Sequence, residues 1–168
     1  MFLIVEAVRG DGDGFVLDAD GKHFWGRHGA AGLLLRAPHP TGEAAVLLQY
    51  RAPWSHQGGS WALPGGARDS HETVEEAAIR EAFEEAGLSA EHLTVRTSVV
   101  TAIAAGEVWT YTTVIADAAE QLPTVANMES AELRWVAVEE VAELPLHPGF
   151  AASWDQLRAL TAELPLNP

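Results

Sequence analysis

Cysteine is absent from all 168 residues, which excludes disulfides and any metal site built on thiolates. Cations are scarce as well: 10 Lys plus Arg stand against 24 Asp plus Glu, a formal net charge of −14. A surface of that sign repels a polyphosphate backbone unless a basic stripe offsets it locally, so long nucleic acid is a poor partner. A small phosphorylated ligand is still compatible with it, because one bound divalent cation reverses the local potential at an acidic site. No hydrophobic run is long: Met1-Phe2-Leu3-Ile4-Val5 is soon followed by Glu6 and Arg9, too short for a membrane span or the apolar core of a signal peptide. The expectation is a cytoplasmic protein with no membrane association, and the sequence is silent on oligomeric state.

Several chemistries lack their signatures. Neither a P-loop nor a dinucleotide fingerprint is present, and Gly58-Gly59-Ser60-Trp61-Ala62 lacks the final glycine of a nucleophile elbow. His71-Glu72-Thr73-Val74-Glu75 opens like a zinc-protease helix but has Glu75 where the second histidine is required. Asp11, Asp13, Asp18 and Asp20 offer no calcium-loop register and read as solvated turns.

What is present suits one globular domain over 1–168, with 48% hydrophobic residues and no repeat or low-complexity linker. Residues 2–8 are apolar and partly β-branched. Phe15-Val16-Leu17 and His23-Phe24-Trp25 flank Asp18-Ala19-Asp20-Gly21, so 1–28 reads as a small β-hairpin extension. Strands are expected at 30–35, 44–50, 93–101, 108–116 and 133–136, with helical spacing at 138–144 and 149–164. The clearest helix runs over 73–86, where Thr73 and Glu76 are spaced as a capping box and Gly87 is placed as a left-handed stop. A helix set between runs of strands predicts an α/β protein, a sandwich around a mixed sheet.

On a wheel of 100° per residue, Ile79, Ala82, Phe83 and Ala86 share one face of that helix, and Glu81, Glu84 and Glu85 share the opposite one. The wheel assigns the first face to packing and the second to a concentration of negative charge. Like charges at such spacings cost a few tenths of a kcal/mol per pair. A solvated acidic face is the ordinary explanation, but the surroundings point elsewhere. Gly66, five residues, Glu72, seven residues, then Arg80-Glu81-Ala82-Phe83-Glu84-Glu85-Ala86-Gly87-Leu88 matches every fixed position of the Nudix box, spanning 66–88. Seven fixed residues at about one in twenty each make chance agreement rarer than roughly one in a million. The chain therefore resembles the Nudix hydrolases. Ala82 stands where that family more often carries a bulky aliphatic residue.

The resemblance implies the Nudix fold, an α/β/α sandwich with a central mixed sheet, and Mg²⁺-dependent hydrolysis of a phosphoanhydride bond, with Mn²⁺ as a substitute. Hard Mg²⁺ with carboxylate ligands stabilises the charge that gathers on phosphoryl oxygens, and glycines at Pro64-Gly65-Gly66 allow a close backbone approach. By the same resemblance Glu84 and Glu85 are metal ligands, Glu81 a ligand or the general base, the Gly65 carbonyl a further ligand, and Glu72 and Arg80 orienting residues. Arg80 also has ordinary helix partners in Glu76 and Glu84. Some members take a base or ligand from outside the box, for which Glu107, Glu129 and Glu132 are the candidates beside an ordinary surface role.

Secondary marks narrow the substrate. Ala104 and Ala105 stand where a proline is associated with ADP-ribose cleavage, and the marks of dinucleoside polyphosphate and NADH enzymes are missing. Trp61-Ala62-Leu63-Pro64-Gly65-Gly66 and Leu146-His147-Pro148-Gly149-Phe150 resemble the MutT-like group, which acts on nucleoside triphosphates, oxidised ones included, to give a monophosphate and pyrophosphate. Trp54, Trp109 and Phe150 are candidates for a base slot, and Arg51 and Arg68 for phosphate contacts. Trp61 and Trp135 read as core. The competing readings are a silent nucleotide-sensing module and a 5′ RNA pyrophosphohydrolase, the latter disfavoured by the charge.

Overall fold

The computed structural model describes residues 10–55 and 57–166; the strand expected at 2–8 lies outside them. Nine strands and two α-helices follow in order: β1 (Phe15–Leu17), β2 (His23–Trp25), β3 (Ala30–Pro38), β4 (Ala44–Arg51), β5 (Trp61–Ala62), β6 (Gly65–Ala67), α1 (Val74–Ala86), β7 (Thr94–Ala104), β8 (Trp109–Asp117), β9 (Ser130–Ala137) and α2 (Pro148–Ala162). The expected hairpin forms with Val16 opposite Phe24. Its turn closes because the Asp18 carboxylate accepts from the Asp20 and Lys22 amides while Gly21 takes φ 78°.

The main sheet is mixed. Its path is β5-β4-β3-β8-β7, with β6 added to β3 and β9 to β4. β3 and β8 run parallel and the other pairs antiparallel. β3 is apolar from Ala30 through Leu35 because both its faces are covered there. Ala31, Leu33 and Leu35 meet Ala77, Ala78, Ala82 and Ala86 of α1. Leu34 points the other way, into a cluster with Phe150, Trp154 and Leu157 of α2. Layers of α1, sheet and α2 make the α/β/α sandwich.

Two expectations shift. Residues 138–144 are helical as a 3₁₀ segment, Val138–Glu143, rather than an α-helix. The two faces of α1 also divide differently from the wheel: Phe83 is 61% exposed, whereas Glu85 is 3% exposed. Around the helix Glu85 falls between Ala78 and Glu81, so the buried arc runs through a carboxylate. A run of alanines lets α1 lie close to the sheet, and Ala82, the departure from the usual family residue, is fully buried within it.

An ion cluster joins the sheet to the C-terminal end of α2. Arg36 and Asp117 are register partners on β3 and β8. Arg36 Nε donates to Asp117 Oδ1 at 2.7 Å, and Arg36 Nη1 donates to the Thr161 and Leu164 carbonyls at 2.9 and 2.8 Å. Arg96 Nη1 donates to Asp117 Oδ2 at 2.6 Å. Buried charge persists here because each group is both paired and hydrogen-bonded.

Candidate active site

The box folds as a loop, a short strand and a capped helix that return on one another. The Thr73 hydroxyl accepts from the Glu76 amide at 3.1 Å, which starts α1, and Gly87 at φ 70° ends it by donating to Phe83 O. β6 places Gly65 opposite Gly32 of β3. From there the Gly65 amide donates to Glu85 Oε2 at 3.0 Å, so the buried carboxylate is tied to the loop that precedes the helix.

Arg80 is the clasp. Its Nε and Nη2 donate to the two oxygens of Glu72 at 2.5 and 2.9 Å, its Nη2 also reaches the Ala67 carbonyl at 2.9 Å, and its Nη1 donates to Glu81 Oε1 at 2.9 Å and Glu84 Oε2 at 3.4 Å. A planar guanidinium can make these contacts at once; an ammonium cannot. The Arg80 guanidinium holds the Glu72 carboxyl below the usual carboxylate range, and Glu72 in turn pushes Arg80 further up. Glu72 Oε2 also accepts from the Asp69 amide. These bonds fix Glu72 and Arg80 relative to each other, to the box loop and to Glu81.

Glu81 and Glu85 carry the unfavourable electrostatics of the site. Burial pushes Glu81 up to about 7 against the opposing pull of Arg80. Burial, with Glu81 adding like charge, raises Glu85 well above the ordinary carboxylate value. Glu84, with its side chain 52% exposed, completes the three at the mouth. Hard oxygen donors that are buried and mutually repelling are stabilised by a bound divalent cation, so these residues fit such an ion.

The residues expected outside the box separate. Arg51 acts as a nearby positive charge on Glu85, and Glu129 as a nearby negative charge on both Glu81 and Glu85. Of the three outside glutamates, Glu129 is thus the one whose charge is felt by the box carboxylates. Glu132 pairs instead with Arg134 at 2.8 Å, and Glu107 lies in the turn between β7 and β8 at φ 70°. The Arg68 Nε and Nη1 donate to the carbonyls of His28 and Glu72 at 3.1 and 2.6 Å, which ties it to the box loop. Trp54 is exposed, as its loop suggests. Trp109 packs on Phe24 and donates from Nε1 to Trp25 O, while Phe150 packs edge-on against Trp154; both belong to the core rather than a base slot. Trp61 is buried, and Trp135 is half-buried with its Nε1 on Leu122 O.

Two features have no sequence signal. Tyr111 of β8 lies against the glycines of the site, where a strand tyrosine reads simply as core. Asp11, one of the turn aspartates, reaches across to Ser70, and with Asp69 and His71 brings three potential donor atoms within 4.8 Å of one another. That group clasps the N-terminal loop to the box loop, since Asp69 Oδ1 also accepts from the Gly12 amide at 2.8 Å.

Comparison with known proteins agrees with this geometry. The family model described as NUDIX domain matches residues 26–158. A Mycobacterium tuberculosis protein named "Putative 8-oxo-dGTP diphosphatase 3" is 68% identical over 164 residues, covering 96% of this chain and 76% of that protein. The crystal structure of the Nudix hydrolase RenU from M. smegmatis superposes with a TM-score of 0.90 at 71% identity, over 94% of this chain and 99% of that one. A C. elegans Ap4A hydrolase shares the fold alone, at 23% identity and TM-score 0.64 over 80% of this chain and 98% of its own. Among the described residues no helix is long and apolar enough to cross a membrane.

Proposed function

Since the chain belongs to the Nudix family, we propose that it hydrolyses a nucleoside triphosphate to the monophosphate and pyrophosphate with Mg²⁺, an oxidised guanine nucleotide being the favoured substrate. The observation that carries the hydrolytic part is the pair of carboxylates, half-buried Glu81 and buried Glu85, held at the glycine loop by Arg80 and the Gly65 amide. The nucleotide class rests on the M. tuberculosis relative, whose name is an 8-oxo-dGTP diphosphatase. Mn²⁺ is expected to substitute for Mg²⁺.

Glu81, Glu84, Glu85 and the Gly65 carbonyl hold the ion in this reading. When bound, it stabilises charge on the phosphoryl oxygens and eases deprotonation of water. Arg80, itself fixed by Glu72, aims Glu81, whose free carboxylate oxygen accepts the proton of the attacking water. Glu129, whose charge is felt by Glu81 and Glu85, is the candidate for an added ligand or for the base in its stead. Arg51, whose positive charge is felt by Glu85, is the candidate to offset the charge of a phosphate, and the exposed Trp54 the candidate to close over a base. Arg68 supports the loop. A full set of box glutamates separates this reading from a silent sensing module, and a net charge of −14 separates it from an enzyme that holds an RNA strand.

The test is pyrophosphate release with Mg²⁺, and with chelator, across ordinary and oxidised nucleoside triphosphates, ADP-ribose, dinucleoside polyphosphates and 5′-triphosphorylated RNA. Metal-dependent turnover is expected to be highest on 8-oxo-dGTP. Nucleotide binding without turnover on any member of the panel would replace the enzyme by the sensing module.

A further inference from the structure

The neighbourhood of Gly65 contains a polar group to which nothing above gives a role. Gly32 on β3 and Gly65 on β6 are register partners, and the Tyr111 phenol lies across the pair. A Cβ on Gly32 would stand 1.9 Å from Tyr111 Oη, and one on Gly65 2.9 Å from it. The two glycines are therefore the cradle of a hydroxyl rather than of a ring alone. That hydroxyl lies beside the strand residue whose amide holds Glu85 at 3.0 Å. Glu85, Arg51 and Glu81 are the charged groups whose fields it feels.

Among the described residues the Tyr111 hydroxyl has no hydrogen-bond partner. It is not one of the buried polar atoms left without a partner among those residues, so the hydroxyl reaches solvent and is open to a ligand oxygen. Burial, with Glu85 adding to it, raises the phenol well above its ordinary value of 10, so the group is a neutral O–H donor at any working pH. What it lacks is an acceptor. A polyphosphate bound beside the box glutamates would bring charged acceptor oxygens to this open hydroxyl.

Resting on the pyrophosphohydrolase reading, we propose that Tyr111 is a phosphate-binding residue of this site, its hydroxyl donating to a non-bridging oxygen of the polyphosphate that the metal holds at the box glutamates. It is a donor to substrate and not a ligand of the ion. Phosphate recognition would then depend on β8, an element outside the box.

The variant is Tyr111→Phe, which deletes one oxygen and leaves the ring to pack. Thermal melting establishes that it folds. Calorimetric titration of inorganic tripolyphosphate with Mg²⁺, a probe independent of the base, is expected to show about tenfold or greater loss of affinity, the size of one hydrogen bond to a charged acceptor. kcat/KM on the nucleotide should fall by a similar factor, while Mn²⁺ titrated alone should bind as in wild type. Tripolyphosphate affinity and kcat/KM within twofold of wild type would overturn the proposal, as would a loss of Mn²⁺ affinity alone, which would make the hydroxyl part of the metal site. Wild-type protein that binds neither tripolyphosphate nor nucleotide would overturn the functional reading itself.

Discussion

Glu85 is a carboxylate set where α1 otherwise presents alanine, and the fold tolerates it through one backbone donor at 3.0 Å and the field of Arg51. Those two interactions do not offset its desolvation, so the residue is poised for a cation that binds from outside. Glu85→Gln keeps the shape and removes the charge. Its turnover with Mg²⁺ should fall at least about a hundredfold, as expected for loss of a charged ligand, with nucleotide binding retained and the metal-free protein more stable than wild type. Steady-state kinetics, nucleotide titration and chelator-treated melting read the three effects. Near-normal turnover would remove Glu85 from the metal site.

At the scale of elements, the site depends on how closely β6 approaches α1. A Cβ added at Gly66 would lie 2.6 Å from Glu81 Oε1, and the atom it meets is the end of a side chain that can move. Gly66→Ala should therefore fold, with Glu81 displaced from Arg80 and Mg²⁺-dependent kcat lowered about tenfold or more. A variant whose melting temperature collapses would show instead that the backbone cannot yield. The elements themselves were readable where local chemistry decides them: the hairpin from Asp18 and Gly21, α1 from Thr73 and Gly87, and the chemistry from the box spacing. The face of α1 was not. A helical wheel separates faces but does not say which one meets a sheet, and the alanines that permit close packing are the weakest hydrophobic signal. Phe83 therefore looked like core and Glu85 like surface. Tyr111 has no sequence signal as a site residue, and nothing local separates Glu129 from the other outside candidates, Glu107 and Glu132, for a related reason. Tyr111 is brought there by β8 pairing with β3, and Glu129 by the residues leading into β9, which pairs with β4, and pairing over such separations has no local signature.

Across the whole molecule, the acidic site couples stability to pH and to metal. Glu81 is raised from 4.5 to about 7 and Glu85 is raised as well, so the folded chain holds protons that the unfolded chain has released. Stability must therefore fall as pH rises from about 4.5 through 7. Glu72 has the opposite sign. Depressed by Arg80, it contributes stability above the ordinary carboxylate value and loses it as pH falls below that range, outside the window where Glu81 and Glu85 act. A divalent ion binds the deprotonated carboxylates and favours the folded state by mass action, more strongly at higher pH where fewer protons compete. Chelator-treated protein should melt higher at pH 5.5 than at pH 8. Millimolar Mg²⁺ should raise the melting temperature by several degrees at pH 8 and by clearly less at pH 5.5. Glu85→Gln serves as the internal control, because removing one of the two raised carboxylates should flatten the metal-free profile while leaving every other titrating group in place. A wild-type profile that is flat without metal, or one that Glu85→Gln leaves unchanged, would mean that the strain of the site is relieved within the protein and that metal binding is not what these carboxylates are held for.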